Sequence, residues 1–219
     1  NQNFWNEKIS NAVELRKQLG LLNETTNICR LVHGEGDNLS GLVIDHYNGV
    51  AIIQPHAVGM YLQKNAIKEA LLFALPELKA IFIKGKETLP NRSDAVNEYL
   101  YGEVNTPHIA HEHGIPFSID WITGQKTGFF IDQRENRKKL AHYVNGKKVL
   151  NTFCYSGGFS MYALNSGAEL VHSLDSSKKA IELVENNLKL INLDDQNRHQ
   201  SIVGDAVKSI VNLEFDYDI

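Results

Sequence analysis

Over residues 4–22, apolar side chains fall at Phe4, Ile9, Val13, Leu15, Leu19 and Leu22 among charged ones, the spacing of an amphipathic helix. The period then shortens. Residues 29–32, 41–44 and 50–53 are strand-like runs, separated by Gly34-Glu35-Gly36-Asp37 and by Asn48-Gly49. An Asn-Gly pair between apolar runs predicts a tight hairpin turn. Residues 60–75 predict a second helix ended by Pro76, and residues 80–83 another strand. Residues 92–105 carry no clear pattern. A further hairpin is expected after His111: residues 116–121 alternate, Thr123-Gly124 turns, and residues 127–131 return. A charged helix over residues 133–144 follows, closed by Asn145-Gly146.

From Lys148 onward strand and helix patterns take turns. Residues 149–153, 170–174 and 202–203 read as strands. Residues 158–165, 177–191 and 206–213 read as helices, the middle one carrying Ala180, Val184 and Leu188 on one face. Strands joined by helices of this length imply a parallel sheet with right-handed crossovers, so the fold class is α/β. A fourth strand begins at Asp218-Ile219, and the sheet is expected to be incomplete in this chain.

Composition narrows the class. Apolar residues make up 42% of the 219, which excludes a disordered chain. The longest apolar run, residues 70–75, falls far short of the roughly 20 residues a bilayer requires, and no signal peptide opens the sequence. Two cysteines, Cys29 and Cys154, cannot form a disulfide framework, and a reducing cytoplasm is the expected setting. Net charge is −4, yet residues 124–148 hold seven bases against two acids. That local excess suits either an anion-binding face or a solvated helix.

Chemistry concentrates at Leu150-Asn-Thr-Phe-Cys-Tyr-Ser-Gly-Gly-Phe159, a loop of small and aromatic residues running off a strand into a helix. In open parallel sheets ligands bind beyond the carboxyl ends of the strands, where this loop falls. Asp175 ends the next strand, where a carboxylate can accept from both hydroxyls of a ribose. Asp205 follows the third strand, within reach of an adenine amino group. Either acid alone is more often a helix cap than a ligand. Together with the loop they describe a pocket for an adenosine-bearing cofactor. Dinucleotide sites want Gly-x-Gly-x-x-Gly beside the pyrophosphate. Here only Gly157-Gly158 is present, with Phe153 and Tyr155 before it, which favours S-adenosylmethionine over NAD.

At these residues the sequence resembles the class I S-adenosylmethionine-dependent methyltransferases that modify cytosine at C5 in large-subunit ribosomal RNA. The resemblance rests on Arg30-Leu-Val-His-Gly-Glu-Gly-Asp37, Gly41-Leu-Val-Ile-Asp45, Glu112-His-Gly-Ile115, Lys126-Thr-Gly-Phe-Phe-Ile-Asp-Gln-Arg134, the loop above, Asp175 and Asp205. It implies an RNA-binding PUA domain, a central α/β domain and a Rossmann-like methyltransferase domain. The chain is expected to begin after the PUA part, with residues 1–118 as the central domain on the RNA side. Residues 119–219 are then a partial Rossmann-like, S-adenosylmethionine-binding domain.

The resemblance further implies an Asp-Pro-Pro segment and a later cysteine that adds to the base at C6, neither of which is in this sequence. No catalytic residue is therefore assigned, and Cys29 and Cys154 are read as structural. Cofactor contacts are expected from Asn151, Phe153, Tyr155, Ser156, Gly157, Gly158, Asp175 and Asp205. Gln133 or Arg134 would hold the methionine tail, against the alternative that Arg134 only solvates its helix. Lys126, Lys138 and Lys139 are expected to contact RNA phosphates. His108, His111 and His113 around Glu112 suggest a metal, but no second cluster completes a ligand set, and none is assigned. The expected partner is large-subunit ribosomal RNA, without a membrane, and a homodimer is compatible. Two other readings stay open: an NAD-type Rossmann oxidoreductase and a noncatalytic RNA-binding module.

Overall fold

A computed structural model describes residues 1–89, 91, 94–191, 196–210 and 216–219. The chain divides into two compact units, the first comprising Asn1–Gly114 and Ile119–Ile131, the second Ile115–Ser118 and Asp132–Ile219. Among the described residues no helix is long and apolar enough to cross a membrane.

In the first unit, α1 (Gln2–Gln18) buries Trp5, Ile9, Ala12 and Val13, so of the expected stripe only Ile9 and Val13 face the core. Phe4, Leu15 and Leu19 are exposed, because the buried period runs through Trp5 and Ala12 instead. Then come β1 (Ile28–His33), β2 (Leu42–Tyr47), β3 (Val50–Pro55), α2 (Val58–Leu62), α3 (Lys64–Ala74), β4 (Ala80–Lys84), β5 (Asn97–Tyr101) and β6 (His108–Glu112). The first five strands form one sheet in chain order. Tyr47 pairs directly with Val50 across the two-residue turn, where Asn48 and Gly49 both have positive φ, 45° and 90°. β3 and β4 are parallel, as the helical crossover between them requires.

The expected helix over residues 60–75 is two helices. Gln63, at φ −92° and ψ 10°, leaves the helical region between them. The break lies beside Tyr61, whose hydroxyl donates to Asp94 O at 3.1 Å and accepts from Val96 N at 3.2 Å. β5 lies where the sequence gives no clear pattern, because its residues are half-exposed and show no clean alternation.

The expected return strand over residues 127–131 is absent. Lys84, buried at the end of β4, donates through Nζ to Gly124 O at 2.8 Å and Lys126 O at 2.7 Å. Those carbonyls are thereby committed to a loop. Thr127 is fully buried and donates through Oγ1 to Asp45 at 2.6 Å, with Tyr47 Oη 2.7 Å away. Asp45 in turn accepts a two-pronged pair from Arg30 at 2.8 and 3.2 Å. The chain is pinned here by side chains rather than by a ladder.

The second unit begins with most of β7 (Ile115–Ile119) and continues through α4 (Arg134–Leu140), β8 (Lys148–Thr152), α5 (Gly158–Asn165), β9 (Leu170–Asp175), α6 (Lys178–Leu190), β10 (His199–Val203) and α7 (Ala206–Ser209). The sheet order is β10-β9-β8 with all pairs parallel, as the strand–helix alternation requires. Beyond β8, Ile219 N donates to Lys148 O at 3.3 Å and Ile219 O accepts from Leu150 N at 2.8 Å, the parallel pattern. The last predicted helix is seen as Ala206–Ser209, and its residues 211–213 lie outside the described residues. Val144, Val149, Ala163, Leu164, Ala168 and Val171 form the core under α5.

Candidate functional site

The parallel register sets the strand ends of the second unit side by side: Thr152 pairs with Leu174, and Val203 with Asp175. Beyond this edge lie the loop after β8, Asp175, and Gly204-Asp205. The loop's backbone alternates in hand, with φ of 54° at Phe153, 48° at Tyr155 and 75° at Gly157. Left-handed conformations at two aromatic residues are uncommon and cost of order 1–3 kcal/mol each unless the surroundings enforce them.

At Tyr155 the enforcing group is Asp175. Its Oδ2 accepts from Tyr155 N at 3.0 Å and its Oδ1 from Ser177 N at 2.9 Å. Its own carbonyl accepts from Gly204 N at 2.9 Å, which joins the third strand end to the second. A carboxylate offers about four lone-pair sites. Two backbone donors therefore leave acceptor capacity on both oxygens for the hydroxyls of a sugar.

Around this carboxylate the predicted residues take different positions. Gly157, Gly158 and Ser156 are buried in the turn, while Phe153 is 73% exposed. A methyl group at Gly157 would meet both Val184 Cγ atoms at 3.1 Å, so its glycine is demanded by α6 as well as by φ. Asn151 turns inward, donating to Ser160 Oγ at 2.8 Å. Ser160 Oγ lies 2.6 Å from Ser173 Oγ, which lies 2.8 Å from His199 Nε2, a polar chain that ties β8, α5, β9 and β10 together. Burial pushes the His199 imidazole down to about 4. Asp205 is exposed and caps α7, accepting from Lys208 N at 3.1 Å.

Gln133 bonds neighbouring side chains, donating to Asp132 and accepting from Asn136, each at 3.0 Å. Arg134 is buried at 7% exposure, so it is no surface cation. Arg137, one turn on, is buried still deeper, and a methyl at Gly158 would meet its Cδ at 3.1 Å. Sequence reading counted Arg137 only as charge. The signal that finds it is the second glycine, whose missing methyl leaves room for the Arg137 Cδ. Two of the seven bases of residues 124–148 are thus buried, whereas Lys138 and Lys139 are exposed on α4. Lys126 lies in the first unit, its ammonium 4.2 Å from the centre of the Phe130 ring.

Cys154 is buried, and burial, with a smaller effect of Asp175, pushes its thiol up to about 12. Cys29 is buried in β1. Among the described residues no group of three or more His, Cys, Asp or Glu side chains is placed to hold a metal.

A profile described as S-adenosylmethionine-dependent methyltransferase matches residues 29–215. The ribosomal RNA large subunit methyltransferase I of Photobacterium profundum is 36% identical over 193 residues, 85% of this chain and 47% of that protein. The chain spans about half the length of the curated relatives it matches. A Streptococcus mutans protein described as a S-adenosylmethionine-dependent methyltransferase superposes with a TM-score of 0.87 at 26% identity, over all of this chain and 57% of that one. A further crystal structure, described as a methyltransferase complexed with S-adenosylhomocysteine, gives a TM-score of 0.87 at 26% identity over all of this chain and 56% of that one.

Proposed function

Because the chain belongs to the S-adenosylmethionine-dependent methyltransferase family, we propose that the loop after β8, Asp175 and Asp205 bind S-adenosylmethionine for methylation of large-subunit ribosomal RNA at cytosine C5. The observation that carries the cofactor half is the Asp175 carboxylate, held by Tyr155 N and Ser177 N with acceptor capacity left over. Hydrogen bonds to such a charged group contribute about 1.5–3 kcal/mol each when shielded from water, enough to fix a ribose.

The bound cofactor would supply a methyl group on a positively charged sulfur. The chain's part is to hold and orient it. Asp175 takes the ribose hydroxyls, Asp205 the adenine amino group, and Phe153, Tyr155, Ser156, Gly157 and Gly158 the space between. Asn151 braces this loop from below through Ser160. Gln133 or Arg134, at the start of α4, takes the methionine tail. Neither cysteine suits attack on the base, since both are buried and Cys154 holds its proton far above neutral pH. Support for the RNA half comes from the relatives named as ribosomal RNA large subunit methyltransferases, with Lys126, Lys138 and Lys139 as phosphate contacts.

Calorimetry with S-adenosylhomocysteine and with NADH tests the cofactor. We expect the first to bind and the second not, and Asp175→Asn to weaken binding by about 10- to 100-fold, the value of one charged hydrogen bond. Binding of NADH instead would move the chain to the oxidoreductase reading, and binding of RNA with neither ligand to the noncatalytic one. For the target, mass spectrometry of ribosomal nucleosides should show one 5-methylcytosine fewer when the gene is deleted. An unchanged 5-methylcytosine content would refute that assignment.

A further inference from the structure

We propose that Asn187 is a positioning residue: its amide fixes the Ser156 carbonyl, and so the left-handed turn at Gly157, while tying that turn to β7. The proposal deepens the cofactor reading and rests on it. Asn187 is fully buried in α6. Its Nδ2 donates to Ser156 O at 2.7 Å, and its Oδ1 accepts from Ser118 N at 2.7 Å. The two partners lie 31 and 69 residues away along the chain, so one side chain joins three segments.

Packing alone does not call for this residue. Val184, three positions earlier on the same face, already fills the space against Gly157, and an apolar side chain at 187 would extend that contact. The amide is needed for its polarity. It presents a donor to a carbonyl and an acceptor to an N–H, and the two ends cannot be exchanged. Leucine of similar volume would leave a buried N–H and a buried carbonyl unpaired. The Ser156 carbonyl belongs to the peptide that enters Gly157, at φ 75°, and Gly157 O accepts the first bond of α5 from Met161 N at 2.9 Å. Losing the anchor therefore loosens the end of α5 that faces the cofactor.

Calorimetry with S-adenosylhomocysteine on the wild-type protein, Asn187→Leu and Ile191→Ala tests this, with amide exchange followed in each. Ile191→Ala thins the core around Val144, Val149 and Leu164 at the far end of α6. We expect Asn187→Leu to raise the Kd about tenfold, the consequence of the Ser156 carbonyl left unpaired in the loop. Ile191→Ala should lower the melting temperature at unchanged Kd. In wild-type protein the ligand should slow exchange at the Ser118 amide together with the amides of Gly157 and Met161. A folded Asn187→Leu with wild-type affinity overturns the proposal. Should that variant not fold, slowed exchange in the loop with none at Ser118 overturns it equally. Wild-type protein that binds no S-adenosylhomocysteine defeats the cofactor reading itself, a separate outcome.

Discussion

Asp205 and Cys154 show how a residue's surroundings decide what its chemistry is for. Asp205 is exposed and already serves as a helix cap, a role serine fills about as well as aspartate. Asp205→Ser should therefore keep the melting temperature within about 1 °C yet lose S-adenosylhomocysteine affinity, whereas Asp205→Ala loses both cap and contact, the cap being worth about 1 kcal/mol. Unchanged affinity in the serine variant would reduce Asp205 to a cap. Cys154 poses the opposite case. Its thiol sits in the loop after β8 but is pushed up to about 12, first by burial and then by Asp175. It should resist iodoacetamide at pH 8 in the folded protein and react once unfolded, as peptide mass spectrometry would read. Fast modification in the native state would mean that the loop opens. The place of Asp175 at a strand end was legible, because the alternation of strand and helix patterns marks where β9 stops. Arg137 and Asn187 were not, since nothing in a residue's name says that it is buried.

The loop between β8 and α5 is built from both sides, by Asp175 on the strand edge and by α6 beneath. Gly157 is where the two demands meet. Alanine there would have to hold φ near 75° and push its methyl to 3.1 Å from both Val184 Cγ atoms. We expect Gly157→Ala to cost about 1–3 kcal/mol in urea unfolding and to abolish S-adenosylhomocysteine binding. A variant of wild-type stability and affinity would show that the turn has slack. Hydrophobic period located most elements, including β8, α5, β9 and α6 to within a residue or two. It failed where side chains overrule the ladder. Lys84 and Asp45 convert the Thr127 segment from a strand into a pinned loop, and no local pattern announces partners 42 and 82 residues away. β10 was read short for a related reason: His199 and Ser201 look like loop residues, yet His199 is satisfied by Ser173 on the neighbouring strand.

Desolvation keeps His46 in the first unit and His199 in the second neutral, and it pushes His108 and His172 down as well, so acid works against the folded chain. His46 in β2 is buried, with Nδ1 3.0 Å from Asn27 O and Nε2 accepting from Gly49 N at 3.0 Å. That second bond requires a bare nitrogen, so the ring is neutral. Burial pushes both His46 and His199 from 6.5 down to about 4. The unfolded chain therefore takes up their protons first as pH falls, and folded-state stability must decline with them. The contribution is complete above pH 6.5, declines through pH 5, and is gone near pH 4, with each histidine worth about 3 kcal/mol over that span. Carboxylates do not mask the effect. Asp37 is half-buried, which would raise its carboxyl, but bonds from Arg16 and the His33 N–H outweigh desolvation and hold it below its ordinary 3.8, so its loss comes at lower pH. Urea unfolding at pH 7.5 and pH 5 should show wild-type stability reduced by about 2 kcal/mol per histidine, and His46→Gln with His199→Gln should flatten the curve while lowering its neutral plateau. Stability that is level or rising between pH 7.5 and pH 5 would mean that one or both rings are already protonated in the folded protein, and that the Gly49 and Ser173 contacts are not those of neutral histidines.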